Sequence, residues 1–171
     1  HEHDRIIRAL EIYNSSNYLT IVNQSGRFIL LMSAIECLIK QEDVSDLTKQ
    51  FIENSQNELN KLNIENKEKD SIKSSLGKLK KASIRRSGHL LIKKLLNDSD
   101  KYNGYTPTEF FDKAYELRSK FVHEGSTKTK YLDIRHNEMQ RFCKDLMVNY
   151  FNKICCQNGH YQKKYSTPGF N

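Results

Sequence analysis

An all-α fold, an antiparallel helical bundle with an additional helical excursion in the middle third, is what this sequence predicts, and three observations predict it. The 171 residues hold 7 Gly and 2 Pro, too few turn formers and helix breakers for many short strands. Apolar residues recur at steps of three and four over long stretches, the spacing of one helix face. No run alternates with period two for more than a few residues.

The elements follow in order. A first helix is expected over Asp4 to Tyr13, with Asp4 as its N-cap and Ile6, Ile7 and Leu10 on one side. A second, the core helix, is expected from near Tyr18 to Gln41, where Ile21, Phe28, Leu31, Met32, Ile35, Leu38 and Ile39 recur at helical steps. Ser45 opens a third segment whose thinner stripe is Leu47, Phe51, Ile52, Leu59 and Leu62, and Ile72, Leu76 and Leu79 mark a fourth. Residues 54–81 are so rich in Asn, Lys, Glu and Ser that they read as the excursion. Ile84 to Leu96 sets Leu90, Leu91, Leu95 and Leu96 against Arg85, Arg86, Lys93 and Lys94, and a turn-rich stretch, Asn97 to Tyr105, follows.

The next helix has the clearest start in the chain. Thr106 is its N-cap, Pro107 stands in the first turn, and Glu109 completes a capping box three residues after the cap. Phe110, Phe111, Ala114, Leu117 and Phe121 form its inner face, and Gly125 is the expected C-terminal cap. A last helix is expected over Tyr131 to Cys156, with Ile134, Phe142, Leu146, Met147, Tyr150, Phe151 and Ile154 inside; short connections make the last two helices antiparallel neighbours. The expected organisation is one bundle over residues 1–157 and a C-terminal tail over 158–171. The chain opens His-Glu-His-Asp without Met, which points to a piece of a longer protein with further domains.

Composition narrows the function classes. The longest apolar run, Phe28 to Met32, is far below the roughly 20 residues of a membrane span, and the N-terminus lacks a basic region followed by an apolar stretch. Cys37, Cys143, Cys155 and Cys156 show no C-x-x-C spacing, so a reducing, cytoplasmic setting is expected, and Cys155, Cys156 and His160 lack a fourth metal ligand. With 28 basic against 21 acidic residues the net charge is +7, which favours an anionic partner such as nucleic acid over an acidic protein surface.

The chemistry concentrates on the capped helix, where Arg118, Lys120 and His123 crowd its end. A guanidinium that stays charged and a histidine that titrates near neutrality suit RNA cleavage by 2′-hydroxyl attack, with no metal and no cofactor called for. His123 takes or returns the proton while Arg118 stabilises charge on the pentacoordinate phosphate. The helix C-terminus also favours the imidazolium. Five residues of helix set the two about 140° apart and about 7.5 Å along the axis. Three routes bring both to one ligand: a curled Arg side chain, a loosened last turn before Gly125, or a second copy that completes the site, which is favoured.

Glu116-Leu117-Arg118-Ser119-Lys120-Phe121-Val122-His123-Glu124-Gly125 resembles the signature of the HEPN superfamily, in particular its Apea-like branch: Arg, four to six residues, His, often followed by Gly. Phe28 to Leu38, with Glu36 embedded in an apolar face, resembles the long early helix of that branch. The resemblance implies a bundle that dimerises through the motif helix, a composite cleft with two Arg-His pairs, and metal-independent endoribonuclease activity, with Arg118 and His123 as its catalytic residues. Ser119 stands at the polar position after the Arg, where active members commonly carry Asn, Asp or His. Gly125 stands where the toxin branch bears a Tyr, so nucleotidylation there is not expected. A role in defence against phage or stress is implied by the resemblance alone.

Three further expectations concern supporting residues. Glu36 either pairs with an Arg of the motif helix and orients it or reaches the surface, since an unpaired carboxylate on an apolar face is costly. Arg85 and Arg86, followed by Ser87, Gly88 and His89, form either a phosphate-contacting patch or a solvated face. Arg135 and His136 are placed at the rim of the cleft. The second reading for the whole chain is a non-catalytic RNA- or nucleotide-binding or dimerisation module of a larger protein.

Overall fold

The computed structural model describes residues 2–19, 23–124 and 134–157, with the backbone alone at His123, Glu124 and Gln157. The described residues form seven α-helices and no strand: α1 Glu2–Asn17, α2 Gln24–Leu38, α3 Asp46–Lys61, α4 Asn66–Lys78, α5 Ile84–Leu95, α6 Pro107–Glu124 and α7 His136–Gln157. None of them is long and apolar enough to cross a membrane. The chain divides into two compact units, one of residues 1–39 and 88–171, the other of residues 40–87, with the boundary inside α5. The second unit contains residues 54–81, expected as a helical excursion, and extends beyond them at both ends.

In the larger unit α2 is the central helix, packed against α1, α6 and α7. Phe28, Leu31, Met32, Ala34, Ile35 and Leu38 are all buried, which wraps apolar surface most of the way round the helix, the pattern of a helix with neighbours on several sides. Each large side chain so buried contributes about 1.5–3 kcal/mol. The order of contacts fixes directions: His136 meets Gln24, Arg27 meets Gln140 and Cys143 meets Leu31, so α7 runs parallel to α2. By contrast α1 runs antiparallel to α2, because Arg5 reaches the carbonyls of Cys37 (3.4 Å) and Ile39 (2.8 Å), and Tyr13 lies at the other end beside Gln140. Arg5 thereby caps the C-terminus of α2, whose last carbonyls have no partner within the helix.

Several boundaries differ from expectation for local reasons. Asp4 lies in the first turn of α1, not at its cap, and the helix continues to Asn17, with Ser15 and Ser16 bonding back to the carbonyls of Glu11 and Tyr13 in its last turn. Within α1 the buried face is Ile6 and Ala9, while Ile7 and Leu10 are exposed. Helix α2 starts only at Gln24, since the side chain of Asn23 accepts from Gly26 N at 2.8 Å and caps it there; the expected Ile21 lies outside the described residues. Helix α7 starts at His136, after Ile134 and Arg135. Ile134 and Met139 are both fully buried, at the two positions of a hydrophobic staple. Phe151, expected inside, is half-exposed, whereas Met139 and Cys143 are buried instead. Tyr131, Gly125 and the tail 158–171 lie outside the described residues.

The start of α6 is as the sequence predicts. Thr106 N donates to Glu109 Oε2 at 2.9 Å and Glu109 N donates to Thr106 Oγ1 at 3.5 Å, with Pro107 as the first helical residue. Just before it Tyr102 and Tyr105 exchange both backbone hydrogen bonds across Asn103 (φ 53°) and Gly104 (φ 87°), an Asn-Gly turn with both central residues left-handed. This turn drops the Tyr102 ring between Phe110 and Phe142, with its hydroxyl donating to Asp145 at 2.8 Å.

On α5 Ile92 is buried, as is Leu96 just past its end, and Leu90 is half-exposed. Gly88 is a packing position, because a Cβ there would stand 2.6 Å from the ring of Phe111. Gly88→Ala is expected to cost about 1–3 kcal/mol through overpacking, despite the higher helix propensity of Ala, read as a lower urea midpoint. A midpoint equal to or above that of the parent contradicts this packing.

In the smaller unit Ser45 caps α3, accepting from Thr48 N at 3.3 Å. Ile52 and Leu59 are buried, and Gln56 Nε2 reaches the Lys73 carbonyl on α4 at 3.1 Å. The stripe expected on one face splits in two, since Leu47, Phe51 and Leu62 are exposed. The ends of the hairpin are tied by Ala82 N to Glu42 O (2.8 Å) and Val44 N to Lys80 O (3.1 Å). There Asp43 bonds Lys81 and Lys49, which hold its carboxyl down at about 2.

Candidate functional site

The site is built on the second half of α6 and the C-terminal half of α2. Phe110, Phe111 and Ala114 bury one side of α6, which turns Arg118 toward α2. Arg118 Nε stands 3.4 Å from Glu36 Oε1. Of the two readings of Glu36, the structure bears out the pairing with the motif helix. Arg118 Nε is buried and its contact is one of charge, since no aligned hydrogen bond forms there. Neither Nη group of Arg118 hydrogen-bonds to a described residue. Glu36 thus holds the stem of the guanidinium and leaves its outer edge without a partner among the described residues.

Glu36 is held in a mixed environment. Burial raises its carboxyl above the usual glutamate range, and the Arg118 charge only partly offsets this. The folded chain therefore takes up this proton at higher pH than the unfolded chain does. Stability from this group is highest below the ordinary glutamate value and falls as pH rises through the raised one. Glu36→Gln, isosteric and never charged, is expected to match the parent in urea midpoint at low pH and to gain on it as pH rises across that window. A variant that loses stability as pH rises would mean that the ion pair outweighs burial.

On its other side Glu36 lines an open groove of about 480 Å³ with Asp4, Arg5, Arg8, Ile12 and Cys37. Two arginines face two acidic residues there, at the negative end of α2, so the groove is close to neutral.

The remaining expected site residues are distributed as follows. Ser119 is half-buried and Lys120 exposed on α6. His123 belongs to the last turn of α6, and its side chain lies outside the described residues. His136 packs against the N-terminus of α2, where its ring Nε2 stands 3.0 Å from Gln24 O; Arg135 beside it is exposed. Gln24 and Glu36 are separated by about 18 Å along the axis of α2, so His136 and the Arg118 pair are anchored at opposite ends of that helix. Arg85 and Arg86 occupy the first turn of α5 in the smaller unit, both exposed.

One titratable pair has no signature in the sequence. His89 Nε2 on α5 meets Asp112 Oδ1 on α6 at 2.7 Å, with the imidazole edge-on to Phe111. Packing alone brings these two residues together. Among the described residues no group of three His, Cys, Asp or Glu side chains has metal-ligand proximity. Compared with family models, curated proteins and solved structures, the chain matches none of them.

Proposed function

We propose that this chain is a HEPN-like, Apea-like endoribonuclease domain that cleaves RNA by 2′-hydroxyl attack without a metal, with Arg118 and His123 in a composite site at a homodimer interface. The observation that carries the reading is Arg118 itself: Glu36 stands 3.4 Å from its Nε while its outer nitrogens have no hydrogen-bond partner among the described residues, the preparation expected of a guanidinium that meets a phosphate. The motif spacing and the net charge of +7 support it. In this reading His123 takes the 2′-hydroxyl proton and Arg118 stabilises the phosphorane, with Ser119 and Lys120 at the margin of the site and Arg85 and Arg86 as outlying RNA contacts. The domain works in the cytoplasm, in a defence or stress system.

The test is incubation of the 171-residue chain with single-stranded RNA in EDTA. Cleavage by the parent and its loss in Arg118→Ala support the assignment; cleavage unaffected by that substitution overturns it. One observation favours the second reading, a non-catalytic binding or dimerisation module: a half-buried Arg paired with a half-buried Glu also serves as a structural tie between α2 and α6. RNA retained without any cleavage, at concentrations where the chain dimerises, decides for the module.

A further inference from the structure

Arg27 is only 9% exposed, yet it carries its charge into the seam between α2 and α7 without an acidic partner among the described residues. Its Nη2 donates to Gln140 Oε1 at 2.7 Å, its Nε is buried without a hydrogen bond, and no described group engages Nη1. A guanidinium withdrawn from water with one neutral acceptor is an expensive arrangement. Gln140 turns its amide nitrogen away, toward the Tyr13 hydroxyl (3.2 Å) and Asn17 Oδ1 (3.5 Å), so it offers Arg27 a dipole and no charge.

Among the described residues, both helix starts contribute positive potential around Arg27. Helices α2 and α7 run parallel and both begin here, so their positive ends lie side by side. His136 sits on that rim; a carbonyl only accepts, so the ring Nε2 carries the hydrogen shared with Gln24 O, and Nδ1 donates to an anion only when the ring is the imidazolium. Arg135, exposed, precedes it. Glu138, the acidic residue in the first turn of α7, bonds Arg141 Nη2 (2.7 Å) and Asn103 N (2.8 Å), and its charge also faces Arg135, so Arg135 is the weakest contributor and Arg27 and His136 the main ones. The negative end of α1 approaches from the other side, but its carbonyls at Tyr13, Ser15 and Ser16 are taken by Ser16 Oγ, Tyr18 N and Leu19 N.

We infer that Arg27, His136 and Arg135, at the paired N-termini of α2 and α7, form an anion subsite that holds a backbone phosphate of single-stranded RNA. This rests on the ribonuclease reading of Arg118 and His123 and extends it to a second contact with the same strand. The link is the end of the motif helix: Phe121, two residues before His123, packs its ring edge-on against Phe28, the neighbour of Arg27, with centroids 5.7 Å apart. The strand would thus run from the Arg118 end of α2 toward its N-terminus.

The test measures binding of a dye-labelled single-stranded RNA of about 12 nucleotides to the full chain by fluorescence anisotropy, in a His123→Ala background so that the RNA survives. Arg27→Gln and the double variant Arg135→Gln/His136→Gln are each expected to weaken binding by about tenfold near 0.1 M salt. The slope of log affinity against log salt should become shallower by about 0.7 for each phosphate that is no longer neutralised. Affinity within about twofold of the background together with an unchanged slope overturns the inference. Circular dichroism checks the fold of Arg27→Gln; if it unfolds, the double variant decides, because its substitutions lie outside the core. Inorganic phosphate is the competing probe. If it binds through Arg27 and His136 while RNA affinity is indifferent to both, the site serves free phosphate and the RNA assignment falls. Failure here is distinct from failure of the nuclease reading. Cleavage by the parent with binding insensitive to Arg27 and His136 removes only the subsite, and sensitive binding without cleavage removes only the catalysis.

Discussion

His123→Ala is expected to lower the rate of RNA cleavage by about 10²- to 10⁴-fold, the range that a positioned general acid or base contributes. The 2′-hydroxyl is a poor nucleophile until its proton is taken, and among the side chains of α6 only a histidine exchanges protons readily near neutral pH. Arg118→Ala is expected to fall by a comparable factor, since a charge-stabilising donor is worth about 10²–10³ in rate. The two substitutions also test whether one copy suffices. A mixture of the Arg118→Ala and His123→Ala chains forms mixed dimers with one intact Arg and one intact His. Activity of the mixture well above that of either variant alone marks a shared site, and a mixture no more active than its components places Arg and His of the same copy in each site. His123→Ala with parental activity removes the nuclease assignment altogether.

The largest effect on stability is expected at Phe142. Its ring is fully buried and meets Tyr102 at 4.9 Å and Phe110 at 5.0 Å, both edge-on, so three elements converge on it: the Asn-Gly turn, α6 and α7. Phe142→Ala removes the burial of the ring, leaves a cavity that those neighbours cannot fill, and is expected to cost about 3–5 kcal/mol. Against a total of about 5–15 kcal/mol for a domain, that is a large share. Phe151→Ala is the matched control on the same helix. Its side chain is 48% exposed, and the expected cost is below about 1 kcal/mol. Urea titrations of the two compare them directly; similar midpoints would contradict the burial assigned to Phe142.

The expectations that hold in atomic detail depend on residues within one turn of one another. The box of Thr106, Pro107 and Glu109 is such a case: its donors and acceptors are adjacent in the chain, so their geometry is written locally. The spacing of Phe28, Leu31, Met32, Ile35 and Leu38 is another, because a face that recurs every three to four residues is buried in any packing that uses the helix. Arg118 and His123 were legible as a pair on one helix end for the same reason, and so was the cost of leaving Glu36 unpaired.

What only the tertiary structure decided concerns partners distant in sequence. Glu36 had two open fates until α2 and α6 packed and brought Arg118 within ion-pair distance. His136 was expected near the motif at the cleft rim, but the parallel run of α2 and α7 anchors it at the opposite end of α2 from Arg118. Ile7 against Ala9 in α1, and Phe151 against Cys143 in α7, were chosen by which neighbour lies on each side, a quantity that hydropathy does not contain. Arg27, expected nowhere, was enclosed only when α1, α2 and α7 met around it. By itself the sequence determined that the chain is helical, the caps at Ser45 and Thr106 and the residue types available for chemistry, because those follow from short-range sterics and hydrogen bonding. The pairing of charges and the exposure of each face follow from packing, which is settled only when distant segments share a volume.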